Sequence, residues 1–256
     1  SYELFEPLNH GGMGEVWRAL HRFLKRAAAI KIIRPDILLL QPGRAADSLR
    51  RRFELEARAI AQLQSPHTVA IHDFGVTEEG GFYYAMELLD GYNLQVLVEK
   101  FGPQPAARVV HILMQACASL EEAHQRSMVH RDVKPTNLFL GRLGATYDFC
   151  KLLDFGRVKH VLQPDQTQMT MTGVIAGTPS FLAPEVAAGA KSIDGRVDLY
   201  GLGCVAYWLL TGQLVFDEPG PAAMMVAHLQ KEPVPLSLRV EVPVPADLEA
   251  LVMRLL

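Results

Sequence analysis

Apolar residues along this chain change their period twice. At first they alternate or cluster as β-formers, so residues 2–8, 15–20 and 27–33 read as strands, with a glycine-rich turn between the first two. From 47 to 63 the spacing turns helical: Phe53, Ala57 and Ile60 share a face, and Asp47 or Ser48 can cap the start. Strands return at 68–74 and 82–86, and residues 87–91 then break the pattern as a connector. Beyond it the chain reads as mostly helical. Val109, Leu113, Ala116 and Leu120 mark one face of a long helix over 105–124. Residues 194–211 are apolar nearly all round, as expected of a helix buried on every side. Prolines punctuate 219–245 around one helical stretch, 222–230. There is no internal repeat or low-complexity segment. The pattern predicts an α+β protein with a small β-rich lobe carrying one key helix (1–86), a hinge (87–91) and a larger, mostly helical lobe (92–256).

Composition narrows the class. The chain has 256 residues, 49% hydrophobic and 21% charged, enough for a sizeable core in an ordinary globular protein. Net charge is −3 with scattered cations, which gives no footprint for nucleic acid. The three cysteines, Cys117, Cys150 and Cys204, form neither a C-x-x-C pair nor a disulfide framework, which fits a reducing compartment such as the cytoplasm. The longest apolar run, 199–210, is too short to span a bilayer, and the first residues do not read as a signal peptide. The nine histidines include no H-E-x-x-H and no Cys/His cluster, so a zinc site is not expected. Both ends read as cut, which suggests a piece of a longer protein, such as the cytoplasmic part of a membrane protein.

The sharpest chemical signal is His130-Arg131-Asp132-Val133-Lys134-Pro135-Thr136-Asn137. A chance match to H-R-D-x-K-x-x-N somewhere in such a chain is roughly one in ten thousand. Asp154-Phe155-Gly156 and Ala183-Pro184-Glu185 follow in order. With these three motifs the chain resembles, over essentially its whole length, the eukaryotic-type (Hanks-type) serine/threonine protein kinases that bacteria also carry. The resemblance implies a bilobal protein-kinase-like fold and transfer of the γ-phosphoryl group of ATP to protein serine or threonine hydroxyls. In the established template of that reaction, positioning and charge neutralisation matter more than covalent chemistry. Asp132 then aims the substrate hydroxyl, Lys134 offsets charge on the transferring group, and Asn137 and Asp154 ligate magnesium, or manganese in its place.

The same resemblance assigns the nucleotide site. Lys31, in Ala28-Ala29-Ile30-Lys31, matches the V-A-I-K strand and would hold the α- and β-phosphates. Its helical partner is Glu56, which shares a face with Ile60 and Leu63, whereas Glu54 points elsewhere into solvent. Residues 9–16 resemble G-x-G-G-M-G-E-V with Asn9 in place of the first glycine. Leu8, Asn9, His10, Gly11, Gly12, Met13 and Gly14 would thus cover the phosphates, the glycines letting backbone N–H groups approach. Val16 and Ala29 would roof the adenine and Phe139 would floor it. Met86 takes the gatekeeper position, and the backbones of Glu87 and Leu89 meet the purine edge.

Lys134 together with Gly177-Thr178-Pro179 resembles the serine/threonine branch, with Thr178 bridging Asp132 and Lys134. Besides Asn9, two positions depart from the family: Phe181, where many relatives carry tyrosine, and Arg157, where a hydrophobic residue is usual. Arg131 and Lys159 resemble a basic pocket for a phosphothreonine, which points to autophosphorylation at Thr170 and Thr172, and less so at Thr167, with dimerisation as a route in trans. Arg50, Arg51 and Arg52 read as a solvated face. Asp198 would accept hydrogen bonds from the loop backbone around His130 and Arg131, and the family's arginine partner for Glu185 finds no match before Leu256. The competing readings are a pseudokinase scaffold that binds ATP without transfer, and a small-molecule kinase. The first would typically lose Lys31, Asp132 or Asp154, and the segment 177–185 argues against the second. If Asn9 weakens the phosphate cover, Asn9→Gly lowers the KM for ATP in steady-state kinetics with little change in kcat; an unchanged KM refutes that reading.

Overall fold

The computed structural model describes residues 1–11, 14–33, 46–77, 80–154, 179–190 and 192–256, with backbone alone at 10–11, 46–50, 52–53 and 56. The described residues form two compact units, 1–64 with 68–90, and 65–67 with 91–154 and 179–256.

The first unit is an antiparallel sheet with one helix. Strands β1 (Tyr2–Gly11), β2 (Gly14–His21), β3 (Ala27–Ile33), β4 (Ile71–Val76) and β5 (Phe82–Glu87) are ordered β1-β2-β3-β5-β4. Helix α1 (Ala46–Ala61) covers one face. Ile33, Phe82 and Tyr84 pack with Ala57 there, while Ala19, Ile30 and Ala85 form a second apolar cluster. Side chains alternate along a strand, so Ala29 and Lys31 share the Ile33 face. The helix begins one residue before Asp47, which places Asp47 and Ser48 inside its first turn rather than at the cap expected from sequence. Glu54 is half-buried, not fully solvated as expected.

The second unit is mostly helical but carries a small sheet that periodicity alone did not predict. Strands β6 (Gly91–Asn93), β7 (Leu138–Leu143) and β8 (Thr146–Leu152) are ordered β6-β7-β8, and Gly144, at φ 59°, makes the β7–β8 turn. Helix α2 (Leu94–Phe101) starts where Asn93 accepts a hydrogen bond from the Val96 N–H and stops at Gly102, φ 72°. Helix α3 (Ala106–Gln125) backs the sheet. Its buried Gln115 accepts from the Cys150 N–H at 2.9 Å and donates to the Asp148 carbonyl at 2.9 Å. Arg108 grips the Asp148 carboxylate bidentately at 2.8 and 2.7 Å. Polar groups that would otherwise be orphaned at the strand are thereby satisfied.

A short helix α4 (Pro184–Ala187) precedes the central helix α5 (Arg196–Thr211), which is buried along nearly its whole length. Helix α7 (Ala246–Leu255) packs against it, and α6 (Pro221–Gln230) packs against α4 and meets α5 through His228. At Gly203 a Cβ would lie 2.8 Å from that of Leu255, so the absence of a side chain lets α7 seat against α5. Tyr207, fully buried, donates to the Val234 carbonyl at 2.9 Å. No helix among the described residues is long and apolar enough to cross a membrane.

His228 on α6 is buried among Tyr200 and Phe216, and the Tyr200 hydroxyl meets its Nδ1 at 2.6 Å. Burial pushes its pKa from 6.5 down to about 4, offset in part by the backbone of Ser180. The unfolded chain therefore takes up the proton first as pH falls, and stability is lost between about 6.5 and about 4. Thermal midpoints should drop over this range in wild type, and His228→Gln should flatten that acid limb. A slope identical in the two proteins would contradict the assignment.

Candidate active site

The second unit builds its site on one buried carboxylate. Asp198, two residues into α5, is completely buried, and burial of a charge demands partners. Its Oδ2 accepts from the His130 N–H at 2.8 Å and from His124 Nε2 at 2.7 Å, and Oδ1 accepts from the Arg131 N–H at 2.7 Å. Arg131 is thereby held at φ 64°, a left-handed conformation rare for a side-chain-bearing residue. The loop also presses on α5: a Cβ at Gly201 would come within 2.9 Å of the Val133 carbonyl oxygen. At Gly195 it would sit 2.7 Å from the His124 ring. The apolar run over 194–211 did not explain its glycines; these close approaches do.

His130 carries the fold from the loop to the end of β8. Its Nδ1 accepts from the Asp132 N–H at 3.2 Å, so Nε2 carries the proton and donates to the Leu153 carbonyl at 2.8 Å. Burial lowers its pKa, against the opposing pull of Asp198, which suits the neutral ring these two bonds require. Leu153 returns the tie, its N–H donating to the Asn137 carbonyl at 2.8 Å. Asp154 follows at φ 53°, half-buried.

Within the loop three predicted residues converge. Lys134 Nζ lies 3.1 Å from Asp132 Oδ2, and Asn137 Nδ2 donates both to that oxygen at 2.9 Å and to the Asp132 carbonyl at 2.8 Å. Asp132 is thus clamped in orientation by a cation and an amide, with its side chain only 14% exposed. The turn Pro135–Asn137 makes this possible by folding Asn137 back over Asp132. Phe139 sits half-buried on β7.

The first unit assembles its predicted residues as rows across strands. Asn9 pairs with Val16, Val16 with Lys31 and Lys31 with Tyr84. In the next row Ala29 pairs with Met86. Lys31 faces the side on which Ala57 packs, so the α1 backbone at Glu56 lies on that side too. Leu8 falls at a register irregularity between Pro7 and Asn9. Gly14 has a packing reason of its own, since a Cβ there would sit 1.9 Å from the Ile32 carbonyl oxygen. The Glu87 N–H donates to the Ala70 carbonyl at 3.0 Å, and Leu89 is half-buried. Gly12, Met13, Arg157, Lys159, Thr167, Thr170, Thr172 and Thr178 lie outside the described residues, as do the side chains of His10, Arg50, Arg52 and Glu56.

A five-stranded antiparallel sheet with one covering helix, followed by a helical unit whose loop holds Asp132, Lys134 and Asn137 together, is the fold of the protein kinases. The chain belongs to this family: the protein kinase domain model matches residues 2–256. Pkn1 of Myxococcus xanthus, named a serine/threonine-protein kinase, is 40% identical over 256 residues, which cover 100% of this chain and 35% of that protein. PknB of Mycobacterium leprae, also so named, is 37% identical over 259 residues, 100% of this chain and 39% of that protein. The crystal structure of a mutant of the Mycobacterium tuberculosis PknI kinase domain superposes with a TM-score of 0.67 at 29% identity, covering 93% of this chain and 80% of that one. The chain spans well under half the length of these curated relatives.

Sequence reasoning missed His124, because a lone histidine near the end of a helix carries no signal until Asp198 is seen beside it. The cost of disturbing this centre can be measured. Asp198→Asn keeps the volume but removes the charge and replaces one of the two acceptor oxygens by an NH2 donor, which must then face an N–H group, and should cost on the order of 3 kcal/mol in urea unfolding. A loss below about 1 kcal/mol would show that the loop does not depend on this carboxylate.

Proposed function

We propose that this chain transfers the γ-phosphoryl group of ATP, as its magnesium complex, to serine or threonine hydroxyls of proteins. The names of relatives 37–40% identical over the whole chain support this reading. The observation that carries it is the clamped carboxylate of Asp132, held by Lys134 at 3.1 Å and Asn137 at 2.9 Å. A group fixed in this way is suited to accept a hydrogen bond from a substrate hydroxyl and aim it in line. Lys134, already beside that carboxylate, would neutralise charge that builds on the transferring group.

The donor set fits a hard cation. With Nδ2 of Asn137 given twice to Asp132, the amide oxygen is the atom it offers, and Asp154 adds a carboxylate. Magnesium, or manganese in its place, supplies charge neutralisation on the phosphate oxygens when bound. Lys31, seconded by Glu56, would hold the α- and β-phosphates under residues 8–14. Val16, Ala29, Met86 and Phe139 would contact the adenine. The Glu87 N–H is engaged with Ala70, so its carbonyl and the Leu89 backbone would serve the purine edge. Thr178 would bridge Asp132 and Lys134, and autophosphorylation at Thr170 and Thr172, with dimerisation in trans, belongs to the same proposal.

Transfer of radiolabelled γ-phosphate to a generic protein substrate tests the reading. Wild type should yield phosphoserine or phosphothreonine, and Asp132→Asn should lose about 10²- to 10⁴-fold in kcat while still binding a fluorescent ATP analogue. Transfer that survives Asp132→Asn refutes the mechanism, and wild type that binds the analogue without transfer makes the chain a scaffold.

A further inference from the structure

The β2–β3 turn of the first unit carries a feature that phosphoryl transfer does not use. Its sequence, His21-Arg22-Phe23-Leu24-Lys25-Arg26, sets two large apolar residues among three permanent cations. Phe23 is 87% exposed and Leu24 72%, the first being the most exposed large hydrophobic among the described residues. Arg22, Lys25 and Arg26 are exposed as well.

The turn is built rather than loose. The His21 N–H donates to the Arg26 carbonyl at 2.8 Å, the Lys25 N–H to the His21 carbonyl at 2.9 Å, and the Arg22 N–H to the Ser1 carbonyl at 2.9 Å. His21 Nδ1 accepts from the Leu24 N–H at 3.1 Å, and the Tyr2 ring meets the His21 ring edge-on at 4.9 Å. Lys25 takes the left-handed position at φ 51° that closes the turn. Phe23 and Leu24 are therefore presented at low further cost in conformational entropy. Along the sequence the turn itself is one-sided in charge: residues 19–30 contain Arg22, Lys25 and Arg26 and no Asp or Glu, while Arg18 on β2 is already paired with Glu6 of β1 at 3.0 Å.

We infer that this turn is a contact site for an anionic lipid surface, with Phe23 and Leu24 entering the headgroup–acyl boundary and Arg22, Lys25 and Arg26 lying against the phosphates. An apolar tip inside a cationic collar matches the two layers of such an interface, each cation near an anionic surface adding about five-fold in affinity. One turn makes a weak and reversible contact, strongest at low salt.

The test uses the full 256-residue chain and vesicles of phosphatidylcholine, alone or with about 30% phosphatidylserine. Wild type should co-sediment with the anionic vesicles only, and less as salt rises. Phe23→Trp should show emission blue-shifted by those vesicles and quenched by brominated acyl chains, after subtraction of Trp17 and Trp208 using wild type. The double variant Phe23→Ser/Leu24→Ser should lose about ten-fold or more in partition, and the triple variant Arg22→Gln/Lys25→Gln/Arg26→Gln about a hundred-fold. Both should keep the wild-type thermal midpoint and ATP turnover on a soluble substrate. The inference is overturned if wild type fails to bind, if either variant binds as well as wild type, if the Trp emission does not shift, or if a soluble polyglutamate competes fully while the Trp stays in water.

Discussion

The second unit depends on one buried anion. Asp198 sits where water cannot solvate it, so its charge is tolerable only with donors at both oxygens, and those donors are the backbone of the His130–Arg131 segment and the ring of His124. The dependence runs both ways. Arg131 takes a strained left-handed conformation because two successive N–H groups must turn toward a single carboxylate. Gly195 and Gly201 are small because helix, ring and loop must meet at distances that leave no room for a methyl group. A central helix buried on every side makes a rigid mount, and Asp198 transmits that rigidity to the loop.

From the mount outward the loop is ordered by reciprocal bonds. His130 passes a hydrogen bond to Leu153, and Leu153 passes one back to Asn137. The residue before Asp154 and the residue that clamps Asp132 are thus fixed against each other. The β7–β8 hairpin that carries both ends of this exchange is pinned in turn to α3 by Gln115 and Arg108. Residues 65–67 add a further tie, the Leu152 N–H donating to the His67 carbonyl at 2.7 Å and the His67 ring to the Cys150 carbonyl at 2.9 Å. Asp132 therefore meets Lys134 and Asn137 at hydrogen-bond distance through a framework that is already satisfied.

The first unit solves a simpler problem. Antiparallel pairing places Asn9, Val16 and Lys31, from three strands, in one row on the side that α1 covers. Alternation sends Ile30 to the opposite face with Ala19 and Ala85, so one strand serves both a core and a polar row. The irregularity at Leu8 shifts the register just before Asn9 and sets which residue faces Val16.

Much of this was legible in the chain. Alternation and helical spacing located the β-strands of the first unit and the long helices to within a few residues, because burial on one face imposes those periods. The ordered motifs placed Asp132, Lys134, Asn137 and Asp154 in one reading, because the residue types at those spacings are chemically constrained. Strands β6, β7 and β8 were not legible: β6 has only three residues, and the polar groups that satisfy β8 come from α3, far away in sequence. Nor were His124 opposite Asp198, the neutral tautomer of His130, or the packing reasons for Gly14 and Gly201. The sequence by itself determined which groups are available and which elements form, since both follow from local pattern and composition. Only the tertiary structure added the His124 ring to the donors of the buried carboxylate and decided how the loop turns Asp132 onto Lys134 and Asn137, because desolvation and close approach act between residues tens of positions apart and mount the loop as a whole.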